Sequence, residues 1–137
     1  SGINAKPFFI KPNRDEIEAL TGRKIESDSD ALEEIKRFQE KGIELVVISL
    51  GSKGSIAGYK DKFYKVTVPK VKAINPVGSG DSYVAGIAVS LERGYSIEQM
   101  LKYASACGTA NAMEEETGSV KENIVNELLE KIKIEKL

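Results

Sequence analysis

The chain has 137 residues, 41% hydrophobic and 30% charged, with a net charge of −1. That length suits one domain with a buried core, and the composition excludes a disordered chain. Near-neutral charge excludes a global basic field for nucleic acid or anionic lipid. There is no histidine and one cysteine, Cys107. This excludes Ser-His-Asp and Cys-His catalysis, a disulfide framework and a His-ligated or cysteine-cluster zinc site. Acid–base chemistry is left to carboxylates, lysine or tyrosine. No apolar run approaches bilayer-spanning length. The opening SGINAKPFFIKPN carries neither the basic nor the apolar block of a signal peptide. A cytoplasmic protein with no nucleic-acid and no membrane partner is therefore expected.

In chain order, PFFIK (7–11) reads as a short strand. PNRDEIEALTG (12–22) reads as a helix that Asn13 starts and Gly22 stops. DALEEIKRFQEKG (30–42) is a second helix, with Asp30 and Glu33 as a capping-box pair and Leu32, Ile35 and Phe38 on one face. ELVVISL (44–50) has the near-uniform apolarity of a strand buried on both faces. Residues 54–69 read as a hairpin turning at Lys60 and Asp61, and a short strand is expected near Val71–Ile74. DSYVAGIAVSLERG (81–94) is apolar nearly all round its first three turns, which predicts a central, buried helix. Ser96 and Gln99 make a capping box opening a helix to about Met113, with Cys107 as a small core residue. A last helix, roughly 121–134, carries Ile124, Val125, Leu128, Leu129 and Ile132 on one stripe. Strands alternating with helices predict an α/β layered fold with a largely parallel sheet, whose ligands sit at the carboxyl ends of the strands.

Four stretches carry candidate chemistry. In GSGD, Gly78 and Gly80 permit backbone angles that let successive N–H groups converge on an anion, and the following helix N-terminus favours the same charge. A carboxylate beside an anion site makes sense if Asp81 takes a proton from a hydroxyl that then attacks the bound phosphoryl group. A tight turn followed by an ordinary helix-starting acid accounts for the same four residues.

In KPNRDEIE, Asn13 and Glu16 lie on one side of a helix's first turn, where an amide and a carboxylate suit the water shell of magnesium. A plain capping box also explains the pair. In ISLGSKGSIAG, Ser49, Gly51 and Gly54 let a nucleotide phosphate or ribose approach the backbone, or simply make a β-turn. The order GSKGS is not that of a GxxxxGK[ST] phosphate loop. In ASACGTANAMEEETG, small residues offer a flat slot for a purine, or only close helix packing.

Order and spacing are more specific than any single stretch. KPNRDEIEALTG, VVISLGSKGS, NPVGSGDSYVAG and ACGTANAM followed by TG resemble the carboxyl-terminal half of the PfkB sugar kinase family, nearly end to end. Within it, KPN and NPVGSGDS are most similar to the branch of 1-phosphofructokinase and tagatose-6-phosphate kinase.

The resemblance implies a ribokinase-like layered α/β/α fold, carboxyl-terminal portion only. It implies one nucleotide-binding and catalytic portion across residues 1–137. It implies Asp81 as base and Gly78, Ser79 and Gly80 as an anion hole. Asn13 and Glu16 would place Mg²⁺ and phosphate, with Glu16 on the metal side. Ser49, Gly51 and Gly54 would hold ATP, and Ser105 and Gly108 would lie along the adenine pocket.

The implied reaction is transfer of the ATP γ-phosphate to a sugar phosphate, fructose 1-phosphate foremost. The alternatives are a non-catalytic nucleotide- or phosphate-binding fragment or, if complete, a tagatose-6-phosphate kinase. Asn75 replaces the family's usual Asp at a monovalent-cation site, which puts potassium activation in question. The amino-terminal half, with most sugar contacts and the lid, is expected to be missing, so inactivity alone and self-association or a homo-oligomer are expected.

Overall fold

The computed structural model describes residues 7–71, 79–113 and 121–137. Five strands and five helices follow in the order β1 (Phe9–Ile10), α1 (Arg14–Thr21), α2 (Asp28–Glu40), β2 (Leu45–Ser49), β3 (Ser55–Tyr59), β4 (Lys62–Thr67), α3 (Ser79–Arg93), α4 (Ile97–Ala112), α5 (Glu122–Lys131) and β5 (Lys133–Lys136). The strands form one sheet in the order β1-β2-β3-β4-β5. The α/β class holds, but the sheet is mixed. β1 runs parallel to β2, with Phe9 opposite Leu45, while β2 and β3 are antiparallel, with Val47 opposite Ala57. The cause is the short connection at Gly51–Gly54, which can join only antiparallel neighbours.

The chain divides into two compact units, residues 1–65 with 135–137, and residues 66–134. In the first, Ile17, Ile25, Ala31, Ile35, Val46, Ile48 and Ile56 form the buried core between α1, α2 and the sheet. α1 is closed at both ends as its sequence demands. Asn13 caps it, and Gly22 ends it at φ 73°, where its N–H reaches the Glu18 carbonyl. α2 starts two residues earlier than expected. Ser27, not Asp30, is its cap, accepting the Asp30 N–H at 3.2 Å, while the Asp30 carboxylate accepts the N–H of Glu26. Glu34, nearly fully buried, is held by two guanidiniums, Arg23 at 2.8 Å and Arg37 at 3.0 Å. The Arg23 hydrogen bond is the main reason its carboxyl sits below the usual carboxylate range. The predicted hairpin is present, and Lys60 turns it at φ 57°.

In the second unit α3 and α4 lie side by side, with α5 packed on α4. Their contact is close because Gly86 carries no side chain: a Cβ there would stand 2.9 Å from the Ala104 Cα. Tyr83, Ile87, Leu101, Ala104, Cys107, Val125 and Leu128 fill this core. The α4 capping box forms as predicted from Ser96 and Gln99. Two expectations fail. α3 is not buried all round, since Val84 and Leu91 are exposed. Beyond α5, the chain ends in a strand rather than in more helix. The strand expected near Val71–Ile74 lies almost wholly outside the described residues, as do Gly78, Asn75 and Gly118.

Candidate active site

In the first unit the site is built where β1 and β2 end. Parallel pairing carries one step past β1, so that Asn13 bridges Ser49 and the Ser49 N–H reaches the Pro12 carbonyl at 3.1 Å. Two residues 36 positions apart in sequence are thereby neighbours at the carboxyl end of the sheet. The Asn13 side chain accepts the Glu16 N–H at 2.7 Å, and the Asn13 N–H donates to Glu16 Oε1 at 2.9 Å. The capping box is therefore real, and it commits one Glu16 carboxylate oxygen while the side chain stays exposed.

After Ser49 the chain turns through Gly51 at φ 63° and Gly54 at φ 87°, both angles that side chains resist. The Gly54 carbonyl accepts the Leu50 N–H at 2.8 Å, and the Gly54 N–H returns to the Gly51 carbonyl at 3.1 Å. Space beside Gly51 is open, with no atom within 4 Å of where a Cβ would sit.

Sequence reasoning gave Lys11 no role. It is partly buried at the end of β1, and burial lowers its ammonium pKa, with the Glu16 charge acting in the opposite direction. A half-desolvated cation beside an acid at a strand's carboxyl end is a phosphate-binding candidate. The signal was its place directly before Pro12 and Asn13.

In the second unit Ser79, Gly80 and Asp81 are the first three residues of α3, so the helix begins two residues before its predicted start. Gly80 does not use the left-handed backbone that glycine permits. What it contributes is space, because nothing lies within 4 Å of a Cβ built there. Gly80 and Asp81 are exposed at the helix N-terminus, where unpaired N–H groups and the helix dipole favour an anion.

The Ser79 hydroxyl donates to the Gly108 carbonyl of α4 at 2.9 Å. Gly108 is required to be small there: its Cβ would meet the Ser79 carbonyl at 3.2 Å. Ser105 and Gly108, expected along a flat purine slot, are buried where α4 meets α3. Burial drives the pKa of the Tyr83 hydroxyl well up, with the neighbouring Ser105 acting in the opposite direction. Among the described residues no group of three or more acidic, Cys or His side chains is placed to bind a metal. No helix among them is long and apolar enough to cross a membrane.

Comparison with solved structures gives this fold ribokinase-like neighbours. A Staphylococcus aureus protein taken to be a phosphofructokinase superposes with a TM-score of 0.90 at 37% identity, over 96% of this chain and 42% of that one. Escherichia coli phosphofructokinase-2 gives 0.80 at 26% identity, over 89% and 40%. Arabidopsis thaliana ribokinase, solved with ribose and ATP, gives 0.77 at 26% identity, over 88% and 40%. In sequence, residues 1–124 match the pfkB family of carbohydrate kinases, and the chain belongs to that family. It is 42% identical over 135 residues to the tagatose-6-phosphate kinase of Staphylococcus epidermidis, covering 96% of this chain and 43% of that kinase. The chain thus spans less than half the length of the relatives it matches.

Proposed function

We propose that the chain is the nucleotide-binding and catalytic-base portion of an ATP-dependent sugar-phosphate kinase. The observation that carries this is Asp81, exposed in the first turn of α3 beside the open space at Gly80. A carboxylate in that position accepts the proton of a sugar hydroxyl as its oxygen bonds to the γ-phosphorus of ATP. The bridging bond to ADP then breaks, and the α3 N-terminal amides stabilise charge on the transferred group. Gly78, Ser79 and Gly80 are assigned to that cradle.

In the first unit, Asn13, Ser49, Gly51 and Gly54 are assigned to the nucleotide, and Lys11 is added as a cation for its phosphates. The donor set suits Mg²⁺. Glu16 keeps one carboxylate oxygen outside its capping bond and would hold a magnesium water shell with it, consistent with an ion that retains several waters. ATP would supply the phosphoryl group, and magnesium held there would offset the negative charge of its phosphates. Fructose 1-phosphate is the acceptor assigned first and tagatose 6-phosphate second.

In the protein carried in a complete kinase chain, Asp81→Asn should abolish turnover while leaving ATP affinity within about twofold. Retained activity rejects Asp81 as the base. A second reading follows from the span of less than half a relative: alone, these 137 residues bind nucleotide or phosphate without catalysis. MgATP should then raise the melting temperature of the isolated chain, since a ligand of the folded form alone must stabilise it. No shift at millimolar MgATP rejects nucleotide binding by the isolated chain.

A further inference from the structure

A serine at the start of a helix ordinarily turns its hydroxyl to the N–H groups of its own first turn. Ser79, the first residue of α3, sends its hydroxyl proton to another helix, to the Gly108 carbonyl at 2.9 Å. That carbonyl lies inside α4, which runs on to Ala112, so one lone pair serves α4 and the other takes Ser79. The bond therefore uses none of the first-turn N–H groups of α3.

The contact is shaped from both sides. A Cβ on Gly108 would stand 3.2 Å from the Ser79 carbonyl and 3.6 Å from both the Ser79 Oγ and the Tyr83 Cβ. Ser79 is half-buried and Tyr83 is buried, while Gly80 and Asp81 between them are exposed. Gly80 is the loosest residue a helix can carry, and a first turn has no N–H bonds of its own to hold it. Released at Ser79, this turn would fray as far as Tyr83.

We infer that the Ser79 hydroxyl is the positioning group for Asp81. Its bond to Gly108 sets the first turn of α3, and with it the direction of the Asp81 carboxylate, without spending an N–H that the phosphoryl group needs. This rests on Asp81 being the base, and it gives the Ser79 side chain a task separate from that of its main chain in the cradle. Alanine at 79 keeps the main chain and loses the anchor. A carboxylate that samples several directions meets the sugar hydroxyl in line for a smaller fraction of the time. Turnover then falls, while nucleotide binding changes less.

The test compares Ser79→Ala, Ser79→Thr and Gly108→Ala, carried in a complete kinase chain. Ser79→Ala should lower kcat about fivefold or more, the worth of one neutral hydrogen bond. KM for MgATP should stay within about twofold, and the acid limb of the kcat profile should keep its midpoint. Ser79→Thr retains a hydroxyl and should keep at least half of the parent kcat. Gly108→Ala should lower kcat as Ser79→Ala does, and the double variant should fall no further than the worse single one. Parent-like turnover in Ser79→Ala, an equal loss in the threonine variant, or losses that multiply in the double variant each overturn the inference. If Gly108→Ala does not fold, the alanine–threonine pair decides alone.

A second readout needs no catalysis. In the 137-residue chain, the Tyr83 N–H closes the first turn on the Ser79 carbonyl by helix geometry. Its hydrogen exchange should quicken about fivefold in Ser79→Ala and stay near the parent rate in Ser79→Thr. An unchanged rate in the alanine variant also overturns the inference. Asp81→Asn with retained turnover strikes the base assignment instead, so the two fail separately.

Discussion

The same substitution, glycine to alanine, should have opposite effects at two positions of α3. At Gly86 the new methyl would lie 2.9 Å from the Ala104 Cα and 3.4 Å from the Cβ atoms of Ala104 and Cys107. The nearest of these is backbone, so the α3–α4 pair must separate rather than a side chain rotate. Overpacking of this kind costs about 1–3 kcal/mol. Alanine returns about 1 kcal/mol of helix propensity, leaving a net loss of about 1 kcal/mol.

At Gly80 no atom lies within 4 Å of the new methyl, so only the propensity gain remains. It is reduced at a first-turn position to about 0.5 kcal/mol. The two variants should therefore differ by about 1.5 kcal/mol, or roughly 6 °C in melting temperature. Urea unfolding of the 137-residue chain, followed by far-ultraviolet circular dichroism, measures the gap. A Gly86→Ala chain as stable as Gly80→Ala would show that close helix approach is not what requires glycine at position 86. The order should reverse in nucleotide binding: Gly80→Ala puts a methyl where phosphate is proposed to sit and should weaken MgATP by tenfold or more, while Gly86→Ala changes binding little.

Structure and function should also separate at the α1 cap. Asn13→Ala removes the side chain that accepts the Glu16 N–H and should lower stability by about 1 kcal/mol. Glu16→Gln preserves the reciprocal bond and should stay within about 0.5 kcal/mol of the parent, yet raise the magnesium concentration needed for an ATP-induced melting shift. An unchanged magnesium requirement would return Glu16 to a purely capping role. Glu34 should set part of the acid limb of the stability profile. Its folded pKa lies below the ordinary value of 4.5, first through the Arg23 hydrogen bond. Its contribution is therefore complete above the unfolded carboxylate pKa and fades as pH falls through the lower, folded one. Glu34→Gln should flatten the decline in urea midpoint between pH 5 and 3, and an undiminished slope would show the ion pairs to be uncoupled from folding.

Helix ends were legible wherever one residue alone could fill a special position. Asn13, Gly22 and Ser96 each stand where the pattern places them. The start of α2 was not, because Ser27, Asp28, Ser29 and Asp30 are four successive cap-forming residues, and local chemistry does not choose among them. Ser79 and Gly80 are poor helix formers, which hid the true start of α3; the Ser79 bond to Gly108 is 29 residues distant and fixes that turn from outside. β5 was missed because KIEK carries little apolar signal, and pairing rather than propensity makes it a strand, with the Leu137 N–H reaching the Phe63 carbonyl just beyond it.

At the site, carboxylates and glycines could be named from their motif, and the Asn13–Ser49 neighbourhood follows from the parallel ladder. The burial of Ser105 could not be read, since small residues suit a ligand slot and a tight helix contact equally well.

In the proposed kinase, the bond from the Ser79 hydroxyl to the Gly108 carbonyl would have a kinetic meaning. It fastens the turn that would grip the migrating phosphoryl group to the middle of a neighbouring helix, so that a nudge to α4 is felt at the cradle. If the purine rests against α4, as in the sequence resemblance, replacing one base by another should alter turnover as well as residence time. Discrimination among nucleoside triphosphates would then be written into the rate constant and not only into affinity.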